Sequence, residues 1–294
     1  MTHLTPHRSA ELRRALATIC RAAGVPDTGA ELIRYTNHAV YRLPRAHVVA
    51  RIADGPLAAE RAARVVATAR WLAVRGAPVV PLAAGIRQPV RVGRVAATFW
   101  RELATINGTA ADLAKPLLAL HGLTGIGLPR WTPFGIAARR LAAADELTPE
   151  DHAWLGAAWA AASREYDAVA PTLRSGVVHG DAHVGNLLRE RAGQVVLCDL
   201  DSTGFGPLEW DLVPAAVAAI RFDGSAGYAE LVQAYGRDVT QSPAWPLLRR
   251  IRELTMVTVV LPDLRQRPAI AAEHAHRMRT LRAGDDDAGW RRYE

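Results

Sequence analysis

Three side chains between residues 177 and 201 have the types and spacing that phosphoryl transfer requires. Asp181 can accept the proton of a hydroxyl group. Asn186, five residues on, offers an amide oxygen, and Asp199, thirteen residues further, closes the apolar run Val195-Val196-Leu197-Cys198. Such a run, bounded by polar residues, reads as a short buried strand that ends at the acid. Mg2+ takes hard oxygen donors, keeps several waters and completes its shell with phosphate oxygens, so one carboxylate and one amide from the protein are sufficient. Asp201 reads equally well as a ligand of a second ion or as an acceptor for loop amides. Gly180 and Gly185 permit backbone shapes that a side chain would block.

Other readings of the same residues are open at this point. His179, Asp181 and His183 could form a two-histidine, one-carboxylate metal triad, since alternate residues of a strand share a face. Gly180 suits a turn better than a strand, and the triad would leave Asn186 and Asp199 without a role. The polar residues could also serve only as turn caps. Asp211 is expected to be structural, a buried carboxylate accepting backbone N–H groups of the loop that carries Asp181.

An Asp, an Asn at plus five and an Asp at the end of the next hairpin reproduce the catalytic-loop arithmetic of eukaryotic-type kinases. The letters His179-Gly180-Asp181-Ala182-His183-Val184-Gly185-Asn186, followed by Pro207-Leu208-Glu209-Trp210-Asp211-Leu212, resemble the signature of the aminoglycoside phosphotransferase and choline kinase superfamily. The resemblance implies an α+β, protein-kinase-like two-lobed fold. A small antiparallel-sheet, nucleotide-binding lobe is expected over residues 1–101, and a larger, mainly helical catalytic and substrate-binding lobe over residues 102–294. It further implies ATP or GTP as donor, Mg2+, and a small-molecule hydroxyl as acceptor, on an aminoglycoside-like antibiotic or an amine-bearing metabolite. Asp181 would be the base, Asn186, Asp199 and Asp201 the metal ligands, and His179, His183 and Asp211 the support of the site. A nucleotide-binding relative without catalytic activity and a His/Asp metal hydrolase or oxygenase are the alternatives.

The first hundred residues must then hold the nucleotide. Residues 33–52 read as two or three strands with a turn at Leu43-Pro44-Arg45-Ala46, and Asn37-His38 is the expected loop over the phosphates. No G-x-x-x-x-G-K-[ST] run occurs, which excludes a P-loop enzyme. Protein kinases anchor the α- and β-phosphates with a strand lysine paired to a helix glutamate. The only lysine, Lys115, lies far downstream, and Arg51 fills the strand slot with a planar fork. The helical pattern of residues 57–74 has a single acid, Glu60, near its start, where it either reaches Arg51 or favours the positive end of the helix dipole. The glutamate position expected from the resemblance holds Ala63, Arg64 and Val65 instead. Residues 95–100 read as the last strand before a hinge at Arg101-Glu102-Leu103, where backbone groups would read the adenine.

Downstream, residues 110–123, 153–170, 249–261 and 269–282 show helical periodicity. His121 reads as structural and Asp285-Asp286-Asp287 as a solvated end. A chain of 294 residues with 50% hydrophobic and 22% charged residues is long enough for two lobes with a core and is not a disordered one. The segment around Thr5-Pro6 is a helix start rather than a signal peptide, and no apolar run suits a membrane span. Two cysteines, Cys20 and Cys198, supply no disulfide framework, so a cytoplasmic location is expected. The net charge of +7 is uneven, with 16 Arg against 5 acids in residues 1–101 and 20 Lys/Arg against 24 acids in residues 102–294. A basic small lobe suits an anionic nucleotide, and a mildly acidic large lobe permits a cationic acceptor. Arginines spread along helices without a recognised nucleic-acid motif give no nucleic-acid partner, none of these signals points to a membrane, and the oligomeric state is not legible.

Overall fold

The computed structural model describes residues 5–35, 38–222, 227–265 and 267–293. The chain forms two compact units, Met1–Ile106 with Asn186–Asp201, and Asn107–Gly185 with Ser202–Glu294.

In the first unit, helix α1 (Pro6–Ala23) begins as the sequence indicates: Thr5 Oγ1 accepts the Arg8 N–H at 3.2 Å, Pro6 takes the first helical position, and Gly24 closes the helix at φ 67°. Strands β1 (Glu31–Tyr35), β2 (Ala39–Leu43) and β3 (Val48–Asp54) follow, then helix α2 (Ala58–Val74), β4 (Val90–Val92), β5 (Val95–Arg101) and the short β6 (Ala104–Thr105). The first five strands form one antiparallel sheet in the order β1-β2-β3-β5-β4. Strand period decides what each face carries. Val48, Ala50 and Ile52 of β3 are buried against Leu12, Leu16 and Ile19 of α1, with Tyr41, Leu43 and Phe99 in the same core. Val49, Arg51 and Ala53 therefore take the opposite face, where Ala58 and Ala62 of α2 pack on Ala96 of β5. Small residues at that contact bring the helix close to the strand that carries Arg51.

The second unit opens with α3 (Ala114–His121), α4 (Phe134–Ala142), the 21-residue α5 (Pro149–Val169) and strand β7 (Ser175–Val178). The chain then returns to the first unit as the hairpin β8 (Leu187–Arg189) and β9 (Val195–Leu197), which forms a three-stranded sheet with β6. It finishes in the second unit with β10 (Gly204–Pro207), paired with β7, and helices α6 (Val213–Arg221), α7 (Gly227–Tyr235), α8 (Trp245–Thr258) and α9 (Pro268–Ala283). The boundary expected at residues 101 and 102 is thus moved. The first unit runs to Ile106 and takes in the 186–201 hairpin, because β8 pairs with β6, and Leu197 exchanges hydrogen bonds with Pro78 and Val80.

The core of the second unit is built from Leu117, Leu120, Leu155, Trp159, Tyr166, Val177, Val178, Trp210, Leu248 and Ile251, all buried. Trp131 stacks at a tilt on Trp210, ring centroids 4.4 Å apart. Asp285, Asp286 and Asp287 are not simply a solvated end. Buried Arg221 donates to the backbone oxygens of Asp285 and Ala288, both at 2.9 Å, and Asp286 pairs with Arg249 at 3.1 Å. No helix among the described residues is long and apolar enough to cross a membrane.

One side chain completes the main sheet where a strand runs out. Strand β4 covers Val95, Ala96 and Ala97 of β5 but ends before Phe99. Buried Gln88 takes over there: its Oε1 accepts the Phe99 N–H at 2.7 Å, and its Nε2 donates to the Phe99 carbonyl at 3.0 Å. Gln88→Leu keeps the volume and orphans that N–H, so it is expected to cost about 1–3 kcal/mol in urea unfolding.

Candidate active site

The loop between β7 and β8 carries Asp181, and its shape is set by a buried carboxylate downstream. Asp211, fully buried, accepts the N–H of His179 at 2.7 Å and the N–H of Gly180 at 2.8 Å on its two oxygens. The same carboxylate meets His121 Nε2 at 2.9 Å, and His121 Nδ1 meets the Tyr235 hydroxyl at 2.6 Å. Trp210 Nε1 donates to the Gly180 carbonyl at 2.8 Å and Thr203 Oγ1 to the His179 carbonyl at 3.2 Å. Gly180 has φ 85°, and a Cβ there would stand 2.2 Å from the Ser202 carbonyl oxygen, so glycine is required on both counts. His121 and Asp211 thus hold the turn together.

Asp181 follows this fixed turn with its side chain about 40% exposed. Its Oδ1 accepts from Arg252 Nη1 of α8 at 3.0 Å, and its Oδ2 lies 3.8 Å from His183 Nε2. His179 is buried and its Nδ1 faces the Asp181 N–H at 3.4 Å, while His183 Nδ1 accepts the Gly185 N–H at 3.1 Å. Burial would raise the Asp181 carboxyl, but the charges of Arg252, His183 and His179 more than offset it and hold the group below its ordinary value. Among the described residues no group of three or more His, Cys, Asp or Glu side chains is placed to hold a metal ion. The His179, Asp181 and His183 triad is therefore not formed; the two rings are turned to loop amides.

In the first unit, Asn186 and Asp199 flank the β8–β9 hairpin, and the Cys198 N–H donates to the Asn186 carbonyl at 2.9 Å. Asn186 is buried, and Asp199 has φ 64°, in the left-handed region that few non-glycine residues adopt. Arg51 Nη2 lies 3.1 Å from Asp199 Oδ1 and 2.5 Å from Asp201 Oδ2. The Asp201 oxygen is buried without an aligned hydrogen bond, despite that short ion pair. Arg34 of β1 also approaches Asp199, at 3.4 Å. Burial opposes the charge on Arg51, and Asp201 and then Asp199 more than compensate, raising its pKa. Burial raises the Asp201 carboxyl, with the neighbouring Asp199 adding to the effect. Carboxylate oxygens of Asp199 and Asp201 gathered around the Arg51 cation, one of them lacking a hydrogen bond among the described residues, are hard donors of the kind that suit Mg2+.

Glu60 is not in this cluster. It is exposed in the first turn of α2, at the positive end of the helix dipole, and the carboxylates that reach Arg51 are those of Asp199 and Asp201. A cavity of about 20 Å3 between α2 and the sheet shows what the helix presents instead: Ala58, Arg61, Ala62 and Val65 line it, opposite His38, Arg51, Thr98 and Asp201. Burial and then the charge of Arg51 depress His38 to about 4, so its ring is neutral at pH 7. Asn37, the other half of the expected phosphate loop, lies outside the described residues. At the expected hinge the Arg101 N–H donates to Pro81 and the Glu102 N–H to His47, so neither amide is available to a base; Leu103 is half-buried. The Arg101 side chain pairs with Glu190, and Glu102 with Arg42 at 2.5 Å.

Sequence reasoning did not single out Arg34, Arg61 or Arg252. Each is one arginine among many in the sequence, and no local pattern marks it.

A family model described as the phosphotransferase enzyme family matches residues 32–254. No curated protein sequence matches the chain. Solved structures share the fold. Amicoumacin kinase hAmiN, solved with AMP-PNP, Ca2+ and Ami, superposes with a TM-score of 0.70 at 11% identity, covering 97% of this chain and 98% of its own. Aminoglycoside phosphotransferase APH(3'')-Id from Streptomyces rimosus gives 0.61 at 18% identity, over 83% of this chain and 98% of that one. A choline/ethanolamine kinase family protein from Mesorhizobium loti gives 0.59 at 19%, over 94% of each. These likenesses establish the protein-kinase-like α+β architecture.

Two outcomes test this geometry. Asp211→Ala strands two buried N–H groups and His121, and is expected to lower stability by about 3–5 kcal/mol in chemical unfolding. In an acid titration followed by carboxyl 13C NMR, Asp181 is expected to protonate below about pH 4, the ordinary aspartate value. Because the folded-state value is the lower one, Asp181 contributes stability above the unfolded-state pKa and loses it as pH falls through the folded-state pKa.

Proposed function

The chain belongs to the phosphotransferase enzyme family, and on that premise we propose that it transfers the γ-phosphoryl group of ATP or GTP to a hydroxyl of a small molecule. The observation that carries the reading is the state of Asp181. It is a partly exposed carboxylate on a backbone turn that Asp211 and Trp210 fix, and it is held ionised by the basic groups around it. An ionised carboxylate positioned in this way accepts the hydroxyl proton and orients the oxygen toward phosphorus.

Arg51 contributes a guanidinium whose fork matches phosphate oxygens. Asn186 and Asp199, with Asp201 beside them, are the residues that would hold Mg2+, which supplies positive charge against the phosphates when bound. Leu103 and the backbone carbonyls of Arg101 and Glu102 are the groups that would read the base, since the two amides are spent. Most of the rate then comes from positioning and charge neutralisation, as a loose phosphoryl transition state demands.

One observation favours a second reading, a nucleotide-binding relative without catalysis: α2 presents Arg61 rather than an acid toward Arg51. The pairing of Arg51 with Asp199 and Asp201 supplies the anionic partners that the helix lacks, which favours the catalytic reading.

Asp181→Asn is expected to lower acceptor-dependent ADP release roughly 100- to 10,000-fold while leaving nucleotide affinity, measured calorimetrically, unchanged. Retention of most of the turnover would remove Asp181 as the base. An unmutated protein that binds ATP yet releases no ADP across a broad hydroxyl library would establish the second reading.

A further inference from the structure

Resting on the phosphotransferase reading, we propose that Arg252 selects the acceptor, and that the hydroxyl deprotonated by Asp181 belongs to a molecule carrying a carboxylate next to it, not an ammonium group. Helix α8 has three arginines, and each has a distinct use. Arg249 pairs with Glu253 at 2.9 Å and Asp286 at 3.1 Å, and Arg250 pairs with Glu165. Arg252 turns to the catalytic loop, where its Nη1 donates to Asp181 Oδ1 at 3.0 Å.

That single bond leaves the guanidinium under-used. Its side chain is only 17% exposed, and its Nε is buried without a hydrogen-bond acceptor among the described residues. Buried donors in native proteins have partners, so an orphaned guanidinium N–H beside a reactive group points to an oxygen that arrives with a ligand. The parallel N–H edge of a guanidinium matches the two oxygens of a carboxylate.

The charge balance around Asp181 agrees. Its neighbours Arg252, His183 and His179 are all basic, and Asp181 is the acid that pairs with Arg252 among the described residues. As the hydroxyl oxygen bonds to the γ-phosphorus and the bond to the nucleoside diphosphate breaks, the hydroxyl proton passes to Asp181. Asp181 then becomes neutral, and Arg252 is left with an uncompensated positive charge. An ammonium group beside the reacting hydroxyl is repelled at that moment, whereas a carboxylate replaces the lost counter-charge. The acidic excess of residues 102–294 permits a cationic acceptor on total charge alone, but the charges that touch Asp181 favour an anionic one.

The test uses matched acceptors that differ in the sign of one group: glucuronate against glucosamine, glycerate against 3-amino-1,2-propanediol, and 4-hydroxybutyrate against 4-amino-1-butanol. Each is offered with ATP, ADP release is followed, and the product is identified by 31P NMR. In at least one pair the carboxylate member is expected to be favoured in kcat/KM by about 10- to 100-fold, the weight of a charge-assisted hydrogen bond. Arg252→Gln is expected to erase that preference through KM of the acid member, and Arg252→Lys to keep part of it. ADP affinity measured on each variant shows that the fold is intact. Preference for the amine members, or an acid preference that survives Arg252→Gln, overturns the assignment and leaves the phosphotransferase reading standing. Transfer to neither member of any pair overturns the assignment, and the broad hydroxyl library then decides the phosphotransferase reading.

Discussion

The loop that carries Asp181 depends on one fully buried carboxylate. Asp211 divides its two oxygens between the consecutive N–H groups of His179 and Gly180 and takes a third partner in His121. A buried charge is tolerable only when its lone pairs are used this fully, and the cost of losing any partner is what makes the arrangement stiff. The turn is then defined from three sides: Asp211 holds its amides, Trp210 and Thr203 hold its carbonyls, and Ser202 leaves no room for a Cβ at Gly180. Asp181, the proposed base, inherits its position from that turn.

The face that carries Arg51 follows a different logic. In protein kinases a lysine and a helix glutamate hold each other in register. Here Arg51 is steadied by two carboxylates of the β9 end, and the helix contributes alanines, a valine and Arg61. An arginine suits this exchange, because its fork can span two acids while remaining charged under burial. The consequence is that the groups that would bind a divalent ion and the group that would bind phosphate already form one electrostatic unit within the first compact body.

Much of this was legible in the sequence, for reasons that differ from element to element. The α1 start was readable because a threonine cap and a first-turn proline are local signals, and β3 because Val48, Val49 and Ile52 are β-branched residues following a turn. The family was readable at residues 179–186 and 207–212 because its signature consists of residue types at short fixed spacings. Glu60, in contrast, is a case where composition offered one acid and geometry used two others, 148 and 150 positions from Arg51 in the chain. The Arg252 to Asp181 bond spans 71 positions, and Asp286 is held by Arg249 rather than by solvent alone. Pairs of this kind leave no periodicity behind, so only the packing of distant segments reveals them. The same holds for the unit boundary, which pairing of β8 with β6 decides and no composition shift announces.

The first compact body is not contiguous in the chain: it is completed by Asn186–Asp201, which a ribosome makes only after the intervening α3, α4, α5 and β7. Until those sixteen residues emerge, Arg51 faces the sheet without the acids that compensate its burial, and Leu197 is absent from the backbone of Pro78 and Val80. Folding from the N-terminus forward therefore cannot complete the first unit until the helices of the second that precede this segment have been synthesised.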